Sequence, residues 1–224
     1  MPASRGKRKP APTSPEVVDA GLRRILDAAT DVFGEVGFQK ATIQDIVARA
    51  GVSRPLFYRR FRDKGHVFEV VADRLITEWN ETLVDEVARA SGGTAGALRV
   101  LHEASLDYGW ARPLFHLILT RDTQLLLTTR TDVIERGSRA LRRLIEEILR
   151  AGVEAGEVRC DIEIEHMADL LTEIHLAYTD RVVIEDAPLK PALSNGILEC
   201  ILTGVLDDQG SKRANFARAR RGRV

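Results

Sequence analysis

The sequence predicts an all-α fold: an N-terminal three-helix domain containing a helix-turn-helix, followed by a helical bundle. Three observations point there. Apolar residues recur at three- and four-residue steps along most of the chain, which stacks them on one side of a helix. No useful apolar–polar alternation is present, and aromatic residues are only 5% of the 224, so the apolar 44% is mostly Leu, Val, Ile and Ala. Two short capped segments, Thr42–Ala50 and Arg54–Arg62, flank a tight Gly51-Val52-Ser53 turn.

Taken in order, residues 1–14 (MPASRGKRKPAPTS) read as a disordered basic arm. Ser14 and Pro15 form a helix start, a capping hydroxyl followed by a residue whose missing N–H costs nothing there. Leu22, Ile25, Leu26, Ala29, Phe33 and Val36 then make one apolar stripe, and Gly37 ends it. Thr42 opens the second helix, with Asp45 three residues on as a variant capping box. Ile43, Ile46, Val47 and Ala50 are its expected buried side, and Gly51 closes it in a left-handed conformation. Ser53 is expected to cap the third helix, with Pro55 in its first turn and Leu56, Phe57 and Phe61 following. Asp63 begins a fourth. Beyond it, helices are predicted over about residues 66–90, 94–108, 113–128, 132–155, 163–184 and 189–206, with a break at Ser91-Gly92-Gly93. Residues 209–224 read as a second disordered basic tail. The predicted division is therefore 1–14, 15–65, 66–208 and 209–224.

Composition excludes several classes. Cys160 and Cys200 are too few for a disulfide framework or a four-cysteine zinc site. No stretch approaches the roughly 18 apolar residues of a membrane span. The basic N-terminus lacks the apolar core of a secretory signal. A cytoplasmic protein with no cofactor is expected. The formal net charge of zero hides a strong asymmetry. Residues 1–65 carry a balance of +6, residues 66–211 of −12 and residues 212–224 of +6. Fields are screened beyond about 8–10 Å at physiological salt, so a basic head can neutralise phosphates while the acidic body stays off them.

The spacing is that of a helix-turn-helix, whose second helix enters the DNA major groove. The run from Leu22 to Ala72 also resembles the DNA-binding domain of the TetR family of transcriptional regulators. The resemblance rests on Ile25-Leu26, Ala29, Phe33, Gly37-Phe38, Thr42, Ile46, Ala50-Gly51-Val52-Ser53, Tyr58, Phe61 and Lys64 in one ungapped stretch. Two departures stand out. Pro55-Leu56-Phe57 replaces the small residues common before the Tyr, and Gly65-His66 replaces the acidic residues common at the start of helix four.

The DNA-binding candidates are Thr42, Ser53, Arg54, Pro55, Leu56, Tyr58, Arg59, Arg60 and Lys64. Thr42, at a helix N-terminus, can present its hydroxyl and backbone N–H groups to a phosphate. Arg54, at the start of the recognition helix, is the candidate for bidentate guanine readout, and Pro55 and Leu56 offer apolar contact to a thymine methyl. Arg59 and Arg60 are open between base, phosphate and solvent. The resemblance implies phosphate contacts for Tyr58 and Lys64. Arg23, Arg24 and the arm residues Arg5, Lys7, Arg8 and Lys9 can follow the backbone or an adjacent minor groove.

The resemblance further implies a small-molecule pocket among the middle helices and a homodimer interface from the last two. Polar or aromatic residues on apolar helices are the pocket candidates: Trp79, His102, Tyr108, Trp110, Phe115, His116, His175 and Tyr178. Leu170, Leu171, Ile174, Ile197, Ile201 and Val205 are the interface candidates. No two of His102, His116 and His175 have the spacing of a paired metal ligand set, so no metal is expected. No P-loop, dinucleotide fingerprint, serine elbow or metalloprotease helix is present, so no enzyme is expected. The implied function is a repressor of a palindromic double-stranded operator, released by a small-molecule effector. The alternative is a DNA-binding or architectural protein without such a ligand.

Overall fold

In a computed structural model of the chain, the described residues are 15–119, 131–184 and 191–206. Among them are nine helices and no strand, the one extended pairing being an isolated antiparallel bridge from Val158 to Leu206. The helices are α1 (Pro15–Lys40), α2 (Ile43–Ala50), α3 (Arg54–Tyr58), α4 (Lys64–Ala88), α5 (Gly93–Trp110), α6 (Pro113–Leu119), α7 (Thr131–Glu154), α8 (Ile164–Ile184) and α9 (Pro191–Val205). The predicted basic arm and tail, and the second half of the helix predicted over 113–128, lie outside the described residues.

The chain divides into two compact units, Met1–Val71 and Ala72–Val224. In the first, Ile25, Leu26, Ala29 and Phe33 of the α1 stripe are buried, but Val36 is 44% exposed. The cause is Gly37, whose φ of 76° and ψ of 163° break the helix immediately after Val36 and re-aim the last turn. That turn delivers Phe38 to the core, where the rings of Phe33, Phe38 and Phe68 lie 5.0 to 5.7 Å apart. Val67, Phe68 and Val71 of α4 are fully buried in this unit, which is why it runs past the division predicted after residue 65.

The third helix is shorter than predicted, ending at Tyr58 rather than Arg62. The N–H groups of Arg60 and Phe61 both donate to Phe57 O, at 2.9 Å each, so the α-helix tightens into a turn there.

In the second unit Leu75, Trp79 and Leu83 of α4, Leu98 and Leu101 of α5, and Leu141, Ile145 and Leu149 of α7 form the core. Helices α7 and α8 pack along one another. Outside, Arg142 pairs with Glu146 and Asp169, and Arg150 pairs with Glu146 and with Glu165 at 2.6 Å. The start of α5 has no local cap. Instead the Glu157 carboxylate, far along the chain, accepts the Thr94 N–H at 2.7 Å and its hydroxyl at 2.8 Å. No described helix is long and apolar enough to cross a membrane.

Candidate functional site

The helix-turn-helix is fixed by caps that its sequence supplies. Thr42 Oγ1 accepts the Asp45 N–H at 3.2 Å, while the Asp45 carboxylate accepts the Thr42 N–H at 3.0 Å and its hydroxyl at 2.6 Å. These bonds from Thr42 hold the Asp45 carboxyl below the usual carboxylate range. At the other end of α2, Gly51 sits at φ 60°, ψ 39°. Its N–H reaches Ala48 O at 3.3 Å and that of Val52 reaches Val47 O at 3.1 Å, a Schellman closure that only a residue tolerant of the left-handed region forms without strain. Arg49 grips both carboxylate oxygens of Glu35, at 2.5 and 2.6 Å, and ties α2 to α1.

Ser53 begins α3 by its backbone alone. Its carbonyl accepts the N–H groups of Leu56 and Phe57, but its side chain makes no capping bond, contrary to expectation. Phe57 is fully buried beside Phe61 and anchors the five-residue helix. Leu56 turns partly inward, its Cδ2 lying 3.3 Å from where a Cβ on Gly21 would stand, so its side chain is largely spent on packing against α1. The face left outward carries Arg54, Pro55, Tyr58 (49% exposed), Arg59 and Arg60. Among the described residues, Arg54, Arg59 and Arg60 have no acidic partner.

Lys64 has a different occupation from the expected phosphate contact. Its Nζ donates to the carbonyls of Phe38, Ala41 and Gln39 at 2.7, 2.9 and 3.2 Å and lies 4.5 Å from the Phe38 ring centroid. Three carbonyls use all three ammonium protons, so Lys64 caps the end of α1. Partial burial lowers its pKa. The start of α4 is repaired despite Gly65: Asp63 accepts the His66 N–H at 2.8 Å, and His66 Nδ1 accepts the Arg62 N–H at 3.3 Å.

The second unit contains a cavity between α5, α7, α8 and α9. Its volume is about 30 Å³. Leu98, Leu101, Ile145, Leu171, Ile174, Leu198 and Ile201 line it, together with His102, His175 and Tyr178. His175 Nε2 lies 2.9 Å from Ser105 Oγ, and Ser105 Oγ accepts the Trp79 indole N–H at 3.2 Å. If the Ser105 hydroxyl gives its single proton to His175 Nε2, all three groups are satisfied and His175 is neutral with its proton on Nδ1. Burial, with His102 nearby, pushes the His175 pKa down to about 3. Burial lowers that of His102 too. The Tyr178 hydroxyl is buried without a hydrogen-bond partner among the described residues. Such a group costs about 1–3 kcal/mol until something pairs with it.

A sequence model of the bacterial regulatory proteins, tetR family, matches residues 25–71. The chain is 28% identical over 150 residues to the HTH-type transcriptional regulator HbdR of Aromatoleum sp. (strain CIB), which is 66% of this chain and 64% of HbdR. Its match to the uncharacterized HTH-type regulator YvdT of Bacillus subtilis, at 36% identity, spans 28% of this chain and 32% of that protein. The chain thus spans less than two thirds of the length of these relatives. Residues 25–71 thus form a DNA-binding domain of the tetR-family type. Its fold is shared with the Bacillus subtilis regulator FadR in complex with stearoyl-CoA, with a TM-score of 0.66, 19% identity and coverage of 82% of this chain and 98% of that one.

Within the second unit the expected pocket residues separate into groups. His102, His175 and Tyr178 meet at the cavity, with the His102 and Tyr178 ring centroids 5.1 Å apart. Trp79, Tyr108 and Phe115 form an adjoining aromatic core, Phe115 lying 5.4 Å from Trp79 and 4.8 Å from Tyr108. The Tyr108 hydroxyl donates to Leu75 O at 3.0 Å, and burial pushes its pKa up. Trp110 is 58% exposed, one residue past the buried Gly109, and does not line the α5–α9 cavity. The side chain of His116 lies outside the described residues.

Leu171, Ile174 and Ile201, expected at a subunit interface, line the cavity, and Val205 is buried within the chain. Leu170 alone of the expected interface residues is clearly outward; the side chain of Ile197 lies outside the described residues. Ser105, the hub between Trp79 and His175, escaped the sequence reading. Its signal was a small polar residue one turn beyond His102 on the same face of an apolar helix.

Proposed function

We propose that this protein is a homodimeric transcriptional repressor that reads a palindromic operator with α3 and leaves it when a small molecule occupies the α5–α9 cavity. The reading is carried by three exposed arginines without acidic partners among the described residues, Arg54 on α3 and Arg59 and Arg60 in the turn that follows it, behind a capped α2. Unneutralised guanidiniums at the N-terminal end and flank of such a helix suit guanine edges and phosphates. Tyr58, with its ring against Phe57 and half its surface in solvent, adds a phosphate hydroxyl. Thr42 contributes through the N-terminus of α2, its hydroxyl already engaged by Asp45.

Effector control follows from packing. The cavity's reachable space is close to that of one or two water molecules, so a larger guest must move α5, α8 or α9. An effector therefore favours an expanded body, and only that differential affinity can shift the DNA-bound population. Trp79 brings α4 into the same hydrogen-bonded chain as His175, and α4 also supplies Phe68 and Val71 to the first unit. Displacement of His175 is thereby felt on the helix that enters the reading head.

The test is enrichment of duplexes from a random pool by the full-length protein at two salt concentrations. A palindrome bound about a thousandfold or more over the unselected pool is expected. Uniform, steeply salt-dependent binding with no enriched sequence would overturn the reading.

A further inference from the structure

We propose, resting on the reading of the α5–α9 cavity as the effector site, that its ligand enters as an uncharged, chiefly aliphatic molecule. One oxygen of that molecule exchanges a hydrogen bond with the Tyr178 hydroxyl. Most of the cavity wall is Leu and Ile, contributed by four helices, which selects flexible aliphatic surface. No lining residue is acidic or basic in the Asp, Glu, Lys or Arg sense. The two histidines there are held neutral by burial, and His175 is already committed to Ser105. A carboxylate or ammonium inside would be left without a counter-charge. The Tyr178 hydroxyl is the second observation. It is nine-tenths buried, on a cavity-lining residue, and lacks a partner among the described residues. An alcohol, ketone, ester or thioester oxygen satisfies it; a hydrocarbon does not.

The experiment measures binding of octanol, methyl octanoate, octanoate and octane to the full-length protein by calorimetry at neutral pH. It is repeated on Tyr178→Phe, whose melting temperature reports folding, and on Ile174→Phe, which fills the cavity from a half-buried position. Octanol and methyl octanoate are expected to bind at least tenfold more tightly than octanoate. Tyr178→Phe is expected to weaken the two oxygen-bearing neutral probes about tenfold and to leave octane unchanged. Octanoate binding as well as octanol overturns the ligand class while the cavity still stands as a binding site. Loss of discrimination between octanol and octane in the parent protein also overturns it. If no probe binds, or if Ile174→Phe leaves all binding unaltered, the cavity is not the effector site and both readings fall together.

Discussion

Arg54 reaches solvent at the first turn of α3 with no acidic partner among the described residues, and its loss should be read as a loss of discrimination more than of adhesion. Arg54→Ala is expected to cost about 1–3 kcal/mol at one base pair of each half-site and to relax preference there. Competition binding against singly substituted operators checks this; equal weakening on every sequence would make Arg54 a phosphate contact. Ser105 is the other residue on which much depends. Ser105→Ala leaves the Trp79 N–H and His175 Nε2 unpaired in the core, a loss of about 1–3 kcal/mol per orphaned group. Denaturant unfolding measures it.

His175 also sets a pH dependence. Its folded pKa of about 3 lies below the ordinary histidine value of 6.5, so the unfolded chain binds a proton that the native chain refuses. The stability that neutral His175 contributes is complete above about pH 6.5 and is lost as pH falls from there towards 3. The loss approaches about 1.4 kcal/mol per pH unit. Denaturant midpoints between pH 7 and 4.5 should fall in the parent protein and fall less in His175→Gln.

Among the elements, those whose ends are punctuated locally were legible and those stabilised at a distance were not. Thr42 with Asp45, and Gly51, give α2 both boundaries in a few residues of sequence. Gly37 ends the α1 stripe for the same reason, since a positive φ is a local demand. The true end of α3 was hidden because Phe57 O takes two donors, a matter of how Phe57 and Phe61 pack rather than of any breaker residue. The cap on α5 was invisible because Glu157 reaches Thr94 across 63 positions. Gly93 is required there twice over: its φ is 65°, and a Cβ would collide with the Glu157 carboxylate. Gly93→Ala is therefore expected to lower stability by more than the roughly 1 kcal/mol of a left-handed backbone alone. Thermal melts of Gly93→Ala beside Gly156→Ala, where φ is 73° and no atom lies within 4 Å, separate collision from backbone strain. Equal shifts in the two variants would leave the carboxylate contact without consequence.

At the scale of the whole molecule, sequence periodicity identified α8 and α9 as apolar but did not separate the residues that pack inside this chain, Leu171, Ile174, Ile201 and Val205, from those turned outward. Among the described residues turned outward are Leu170 on α8, 60% exposed between Asp169 and Glu173, and Gly196, Glu199, Cys200, Thr203 and Gly204 on α9. A large apolar side chain at that exposure, beside a helix whose outward residues other than Glu199 are small, suits close approach of a second copy. A dimer matters because a palindrome is read by two heads, and joining them turns the second contact into an intramolecular one. Such linkage is worth about 10²–10⁴ in affinity without any new contact to DNA. Leu170→Glu sets like charges against each other across a two-fold interface while leaving the cavity and the reading head untouched. Sedimentation is expected to show a folded monomer, and operator binding to fall by at least about a hundredfold at unchanged helical content. A dimer that persists in Leu170→Glu would move the interface off this face of α8. A monomer that still binds the full operator as tightly as the parent would break the link between dimerisation and readout.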